Sequence, residues 1–114
     1  MSDAVARLHA AVMARRYGNP DMSRTAKLFA AGRAKMAQKP GEEAIEVAID
    51  AARKDRDGVI RESADLLYHL VVLWAAMGIS PDDVWAEIER RESAQGIAEK
   101  LPKGGARKVA PAVA

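Results

Sequence analysis

Hydrophobic positions along the chain recur at three- and four-residue intervals, and no stretch shows the strict alternation that a half-buried strand requires. Val5, Leu8 and Val12 make the buried line of a first helix over about 3–16, capped by Ser2 and broken by Tyr17-Gly18-Asn19-Pro20-Asp21. Ser23 caps a second helix, in which Ala26, Phe29 and Ala30 face the core and Gly32 loosens or interrupts the turn. Pro40-Gly41 marks either a fresh helix start or a kink in a longer helix, and both options leave the chain helical to about Arg53. Lys54 to Gly58 is a polar connector, with Asp57 as cap of the next helix. From Ser63 to Met77 that helix is apolar around nearly its whole circumference, and Gly78 stops it. Ser80-Pro81-Asp82-Asp83 opens a last helix to about Ser93, with Val84, Trp85 and Ile88 turned inward. The expected fold class is therefore all-α, a bundle of four to five helices. A chain of 114 residues is hard pressed to cover a helix that is apolar all round, so completion by a second subunit, a homodimer, is expected.

The polar positions carry the chemistry. At about 100° per residue, Glu42, Glu43, Glu46 and Asp50 fall within roughly a quarter-turn of one helix. On the following helix Glu62, Asp65 and His69 occupy a narrow polar strip. If the two helices pack antiparallel, the carboxylates converge, and acids withdrawn from water need a compensating cation. The spacing Glu-x-x-Glu followed by Glu-x-x-Asp, at Glu43, Glu46, Glu62 and Asp65, offers oxygen donors and neither nitrogen nor sulfur. Such hard ligands suit Mg²⁺ or Mn²⁺ rather than zinc. The competing reading is a solvated acidic face on one helix and a structural ion pair on the other. His69 reads most simply as a core residue with one hydrogen bond, and otherwise as part of a substrate or metal shell.

Composition narrows the classes. About half the residues are apolar, which supports one modest core, expected over 1–100, with a flexible basic tail over 101–114. No apolar run approaches the roughly 18 residues of a membrane span, the clearest being Leu70 to Met77. The absence of cysteine excludes thiol catalysis and thiolate metal sites and, with an N-terminal stretch unlike an export signal, fits a cytoplasmic location. Charge is unevenly placed: residues 1–41 carry eight bases against two acids, and residues 42–99 six bases against fourteen acids. A basic segment abutting an acidic, metal-suited one matches a polyphosphate ligand. Without interleaved aromatics or a recognisable binding module, nucleic acid is not the expected partner.

Four stretches together resemble the phosphoribosyl-ATP pyrophosphohydrolase family, which acts in the second step of histidine biosynthesis. They are Ser23-Arg24-Thr25-Ala26-Lys27-Leu28; Lys39 with Gly41-Glu42-Glu43-Ala44-Ile45-Glu46-Val47; Glu62-Ser63-Ala64-Asp65-Leu66-Leu67-Tyr68-His69; and Arg90-Arg91 with Gly96-Ile97-Ala98-Glu99-Lys100. That family belongs to a wider group of all-α, MazG-like nucleotide pyrophosphohydrolases. The resemblance implies Mg²⁺-dependent hydrolysis of phosphoribosyl-ATP to phosphoribosyl-AMP and pyrophosphate. It further implies metal ligation by Glu43, Glu46, Glu62 and Asp65, a water-directing role for Glu42 or Glu46, and Thr25, Lys27 and Lys39 as contacts for substrate phosphates. The sequence departs from the family's usual pattern at Pro40 and at Arg33-Ala34-Lys35-Met36, beside the expected substrate face. A house-cleaning nucleoside triphosphate pyrophosphohydrolase is therefore the alternative, and a non-catalytic helical dimer that binds nucleotide is the third reading.

Overall fold

The structure is a computed structural model that describes residues 3–95. Among these it contains five helices and no strand: α1 (Ala4–Arg15), α2 (Arg24–Ala31), α3 (Arg33–Ala52), α4 (Arg56–Ala76) and α5 (Pro81–Gln95). Residues up to Pro81 form one compact unit, and the chain from Asp82 belongs to a second. The basic tail expected from residue 101, and Gly96 to Lys100 of the family-like stretches, lie outside the described residues.

Local chemistry sets each boundary. Asp3, rather than Ser2, caps α1, its side chain accepting the Ala6 N–H at 3.0 Å. Ser23 caps α2 as the sequence predicts, accepting the Ala26 N–H at 3.1 Å. Gly32, at φ +101°, ends α2 and leads directly into α3. Of the two possibilities at Pro40, the longer helix is realised, with the proline inside it. An interior proline removes the N–H that would bond to Met36 and costs about 3 kcal/mol; burial of its ring beside Met36 offsets part of that cost. On α2 the buried residues are Thr25, Ala26 and Leu28, while Ala30 is exposed, contrary to the expected inward face.

The hairpin of α3 and α4 is the most extensive helix pairing in this unit. Its turn is shorter than the sequence suggests because the cap is Asp55, not Asp57: the Asp55 carboxylate accepts the Gly58 N–H at 3.0 Å and α4 begins at Arg56. Lys54 adopts a left-handed φ of 59°, its N–H bonds to the Ala51 carbonyl, and the Asp55 N–H reaches back to the Asp50 carbonyl at 2.9 Å. This is a Schellman termination with a lysine where glycine is favoured. The same pair of bonds ends α4, where Gly78 at φ +71° supplies the left-handed residue. Gly58 lies close to two acids: a Cβ there would be 2.6 Å from an Asp55 carboxylate oxygen and 2.7 Å from one of Asp50, so those side chains would have to shift.

Val12, Leu28, Met36, Val71, Val72 and Ala75 form the core, with Val5, Leu8, Phe29, Tyr68 and Trp74 packed around it. The inward residues of α3 are Met36, Lys39, Pro40, Glu43, Val47 and Asp50, and every other position on that helix is exposed. The outer surface carries large aliphatic side chains, Ile45 at 60 % exposure and Ile49 at 44 % on α3, and Ile60 at 52 % and Leu67 at 42 % on α4. The helix expected to be buried all round is thus uncovered along one line within the single chain. On α5, Glu87 accepts hydrogen bonds from Arg90 and Arg91, which hold its carboxyl down to about 2. No single helix among the described residues is long and apolar enough to cross a membrane.

The two Schellman ends differ in the side chain placed at positive φ, where a non-glycine residue costs roughly 1–2 kcal/mol and glycine regains part of that against its unfolded-state entropy. Lys54→Gly should therefore stabilise the chain by up to about 1 kcal/mol, and Gly78→Ala should destabilise it by a similar amount, both read from urea unfolding midpoints.

Candidate active site

The register of the hairpin assembles the site. Asp50 lies against Gly58, Glu43 meets Asp65, and Lys39 and His69 line one cavity. Seven residues back along α3, from 50 to 43, thus match seven forward along α4, from 58 to 65; four back to 39 then match four forward to 69. This is antiparallel pairing, and it brings Glu43 of α3 to Glu62 and Asp65 of α4, with one carboxylate oxygen from each within 4.8 Å of the others. None of the three makes an ion pair among the described residues. Partial desolvation, a hydrogen bond shared with Glu43 and the charges of Asp65, Glu43 and Asp50 push the Glu62 carboxyl above the ordinary carboxylate range. The donor set is all oxygen and its charge is uncompensated, which fits a hard divalent cation.

The remaining predicted acids are placed differently. Glu46, one turn beyond Glu43, is exposed and falls outside the 4.8 Å group. Glu42 is also exposed; it accepts a hydrogen bond from Gln38 at 2.6 Å and pairs with Lys39 at 3.3 Å. Those two contacts hold its carboxyl below the ordinary range. The four acids of α3 therefore do not act as one stripe, since Glu43 and Asp50 turn toward α4 while Glu42 and Glu46 face solvent.

Beside the carboxylates lies a cavity of about 190 Å³ lined by Arg24, Lys27, Leu28, Ala31, Lys35, Lys39 and His69. It contains four bases and no acid. Lys27 and Lys39, expected at the substrate phosphates, line it; Thr25 does not, being buried with its hydroxyl 2.7 Å from that of Tyr68. A second cavity of about 490 Å³, lined by Pro20, Asp21, Met22, Ser23, Arg24 and Lys27, shares its last two residues with the first. Arg24 was given no site role from the sequence, and Lys35 was read only as a base left free for solvent or ligand, together with Lys27 and Lys39. Their signals were Arg24 at the first position after the Ser23 cap, three residues before Lys27, and Lys35 one turn before Lys39.

His69 is the polar residue at the boundary between acids and bases. It is 1 % exposed, and its Nε2 lies 3.2 Å from Nη2 of Arg24. A guanidinium only donates, so Nε2 accepts and the ring proton sits on Nδ1, which has no partner. Burial first, then the charges of Arg24 and Lys39, hold the His69 pKa below its ordinary value, outweighing the opposite pull of Glu43 and Asp65. His69 is thus neutral, a buried residue with one hydrogen bond that also lines the basic cavity.

Residues 5–92 match the family described as phosphoribosyl-ATP pyrophosphohydrolase. The chain is 61 % identical over 103 residues to phosphoribosyl-ATP pyrophosphatase 2 of Rhodopseudomonas palustris, covering 90 % of this chain and 79 % of that protein. It is equally similar to the protein of the same name from Bradyrhizobium diazoefficiens, of which it covers 77 %. To phosphoribosyl-ATP pyrophosphatase of Azospirillum brasilense it is 55 % identical over 94 residues, covering 82 % of this chain and 85 % of that one. With all-helical architecture, clustered carboxylates and a match spanning nearly all of the described residues, the chain belongs to the phosphoribosyl-ATP pyrophosphohydrolase family.

Proposed function

We propose that this chain hydrolyses phosphoribosyl-ATP to phosphoribosyl-AMP and pyrophosphate, the second step of histidine biosynthesis, as a cytoplasmic, Mg²⁺-dependent homodimer. The observation that carries the reading is the contact between two opposite surfaces: Glu43, Glu62 and Asp65 on one side, and the cavity of four bases on the other. The reaction breaks the anhydride between the α and β phosphates, and water supplies the hydroxyl to one fragment and its proton to the medium. Such chemistry depends on positioning and charge neutralisation and needs no side-chain nucleophile.

Glu43, Glu62 and Asp65 would hold Mg²⁺ or Mn²⁺; Glu46, exposed one turn along α3, stands outside that group. A bound divalent cation neutralises developing charge on the phosphate oxygens. Glu46 is the better candidate to orient or deprotonate the attacking water. Glu42, already committed to Gln38 and Lys39 and held at a lowered pKa, is the weaker base. Lys39 and Lys27 draw in the phosphates from the cavity side, while Thr25 acts from beneath, fixing Tyr68.

Pyrophosphate release should be fastest from phosphoribosyl-ATP when it is tested beside a panel of nucleoside triphosphates, and excess chelator should stop it until Mg²⁺ or Mn²⁺ is restored. Preference for an ordinary triphosphate would instead favour the house-cleaning alternative.

Glu62 gives a test with a sign. Because its carboxyl is raised, the folded chain holds that proton more tightly than the unfolded chain does. Its contribution favours the fold below the ordinary value of 4.5 and is lost as pH rises through the raised value. At neutral pH without metal, Glu62→Gln should melt at or above the wild-type temperature. Mg²⁺ should raise the melting temperature of wild type far more than that of the variant. Turnover should fall by roughly 100-fold or more, as when a charge-stabilising group is removed. A variant that melts lower and still turns over at the wild-type rate would make the cluster structural.

The homodimer is motivated by Ile45, Ile49, Ile60 and Leu67. Burying such a side chain is worth about 1.5–3 kcal/mol, so light scattering at micromolar concentration should give twice the chain mass, and Ile49→Asp or Leu67→Asp should give one.

A further inference from the structure

Arg24 is a base of the site whose partners among the described residues, His69 and Tyr68, are both uncharged. Its guanidinium donates to Nε2 of the buried His69 at 3.2 Å. It also lies over the Tyr68 ring, 5.1 Å from the centroid. Tyr68 is fixed in turn by the 2.7 Å hydrogen bond between its hydroxyl and that of Thr25, and by edge-to-face contact with the His69 ring at 4.9 Å. Among the described residues no carboxylate pairs with Arg24. One of five N–H donors is occupied by His69, and the full charge is left for a ligand. Arg24 also borders both cavities, so a molecule extending from one into the other passes its guanidinium.

An arginine held in place by neutral partners loses little freedom on binding and presents a planar fork suited to phosphate. We infer that Arg24 grips a phosphate of the substrate where the two cavities meet, and that His69 is a positioning residue that fixes this guanidinium through Nε2. For its substrate the inference rests on the proposed hydrolysis of phosphoribosyl-ATP; for its geometry it does not. That substrate has two sources of phosphate, the polyphosphate chain and the 5′-phosphate of the phosphoribosyl arm. The role of His69 follows from its tautomer: a buried acceptor at Nε2 meets a residue that can only donate, and the ring's other nitrogen has no hydrogen-bond partner among the described residues.

Two pairs of measurements test it. Arg24→Gln changes an exposed side chain and should raise KM for phosphoribosyl-ATP at least about tenfold, the worth of one charge-assisted hydrogen bond, with kcat within about twofold of wild type. His69→Gln keeps an acceptor near the Nε2 position and should stay close to wild type, whereas His69→Asn places its amide near Nδ1 and should follow Arg24→Gln. Independently of turnover, inorganic pyrophosphate and ribose 5-phosphate are titrated calorimetrically against the full chain in excess chelator. Binding of pyrophosphate lost in Arg24→Gln assigns Arg24 to the polyphosphate, and binding of ribose 5-phosphate lost assigns it to the phosphoribosyl arm. Wild-type KM and anion binding in Arg24→Gln overturns the role of Arg24. Equal behaviour of the two His69 variants, or a loss confined to kcat, overturns that of His69. If wild type does not hydrolyse phosphoribosyl-ATP, the functional reading falls while the anion titration still decides on Arg24.

Discussion

The register of the α3–α4 hairpin is the constraint on which everything else depends, because it forces three carboxylates together at the middle of the pairing. Like charges at that separation oppose the contact that creates them. The hairpin must therefore be secured away from its centre. At one end Met36 joins Val71, Val72 and Ala75 in the core. At the other, the Schellman turn at Lys54, the Asp55 cap and the close approach at Gly58 fix where α4 begins relative to α3. A helix pair pinned at both ends and repulsive between them is a rigid frame, since the carboxylates cannot relieve their repulsion by sliding. The Glu62 carboxyl is raised first by desolvation in this pairing, then by its hydrogen bond with Glu43 and the charges of Asp65, Glu43 and Asp50.

Beside this frame the chain separates its charges along the hairpin. Lys39 and Glu43 are one turn apart on α3, yet Lys39 lines the basic cavity and Glu43 belongs to the acidic cluster. His69 stands between them, close enough to feel both Lys39 and Glu43. Its burial keeps it neutral, which matters on both sides. A cationic imidazolium would add to the bases and forfeit its bond to Arg24, whereas an acid at this position would pair with Arg24 and remove its charge from the cavity.

The helices and most of their boundaries were legible in the sequence because capping side chains and glycines act locally. Ser23, Gly78 and Pro81 mark ends where they were expected. The turn of the hairpin was misread for an equally local reason: Asp55 and Asp57 both have the chemistry of a cap. The choice was made by Lys54, whose left-handed backbone a sequence does not announce. The acids of α3 show a different limit. A quarter-turn arc is wide enough to straddle a helix's inward and outward faces, and the packing partner decides where the boundary falls. The four-three spacing of Met36, Pro40, Glu43, Val47 and Asp50 carried that information, but a proline and two acids obscured it as an apolar stripe. Arg24 was illegible as a site residue because its role depends on His69, 45 residues away.

Neither half of the site suffices for a polyphosphate. The carboxylates alone repel it, and on the proposed reading the bases alone attract it without the cation that the carboxylates would hold. If the bases lay among the acids, as Lys39 does with Glu42, each would neutralise a neighbour and the site would have no net field of either sign. Keeping Arg24, Lys27 and Lys35 on α2 and the start of α3, away from the acids of the hairpin's centre, preserves both fields. The uneven distribution of charge along the sequence is thus the linear image of a site that needs opposite charges adjacent and unpaired.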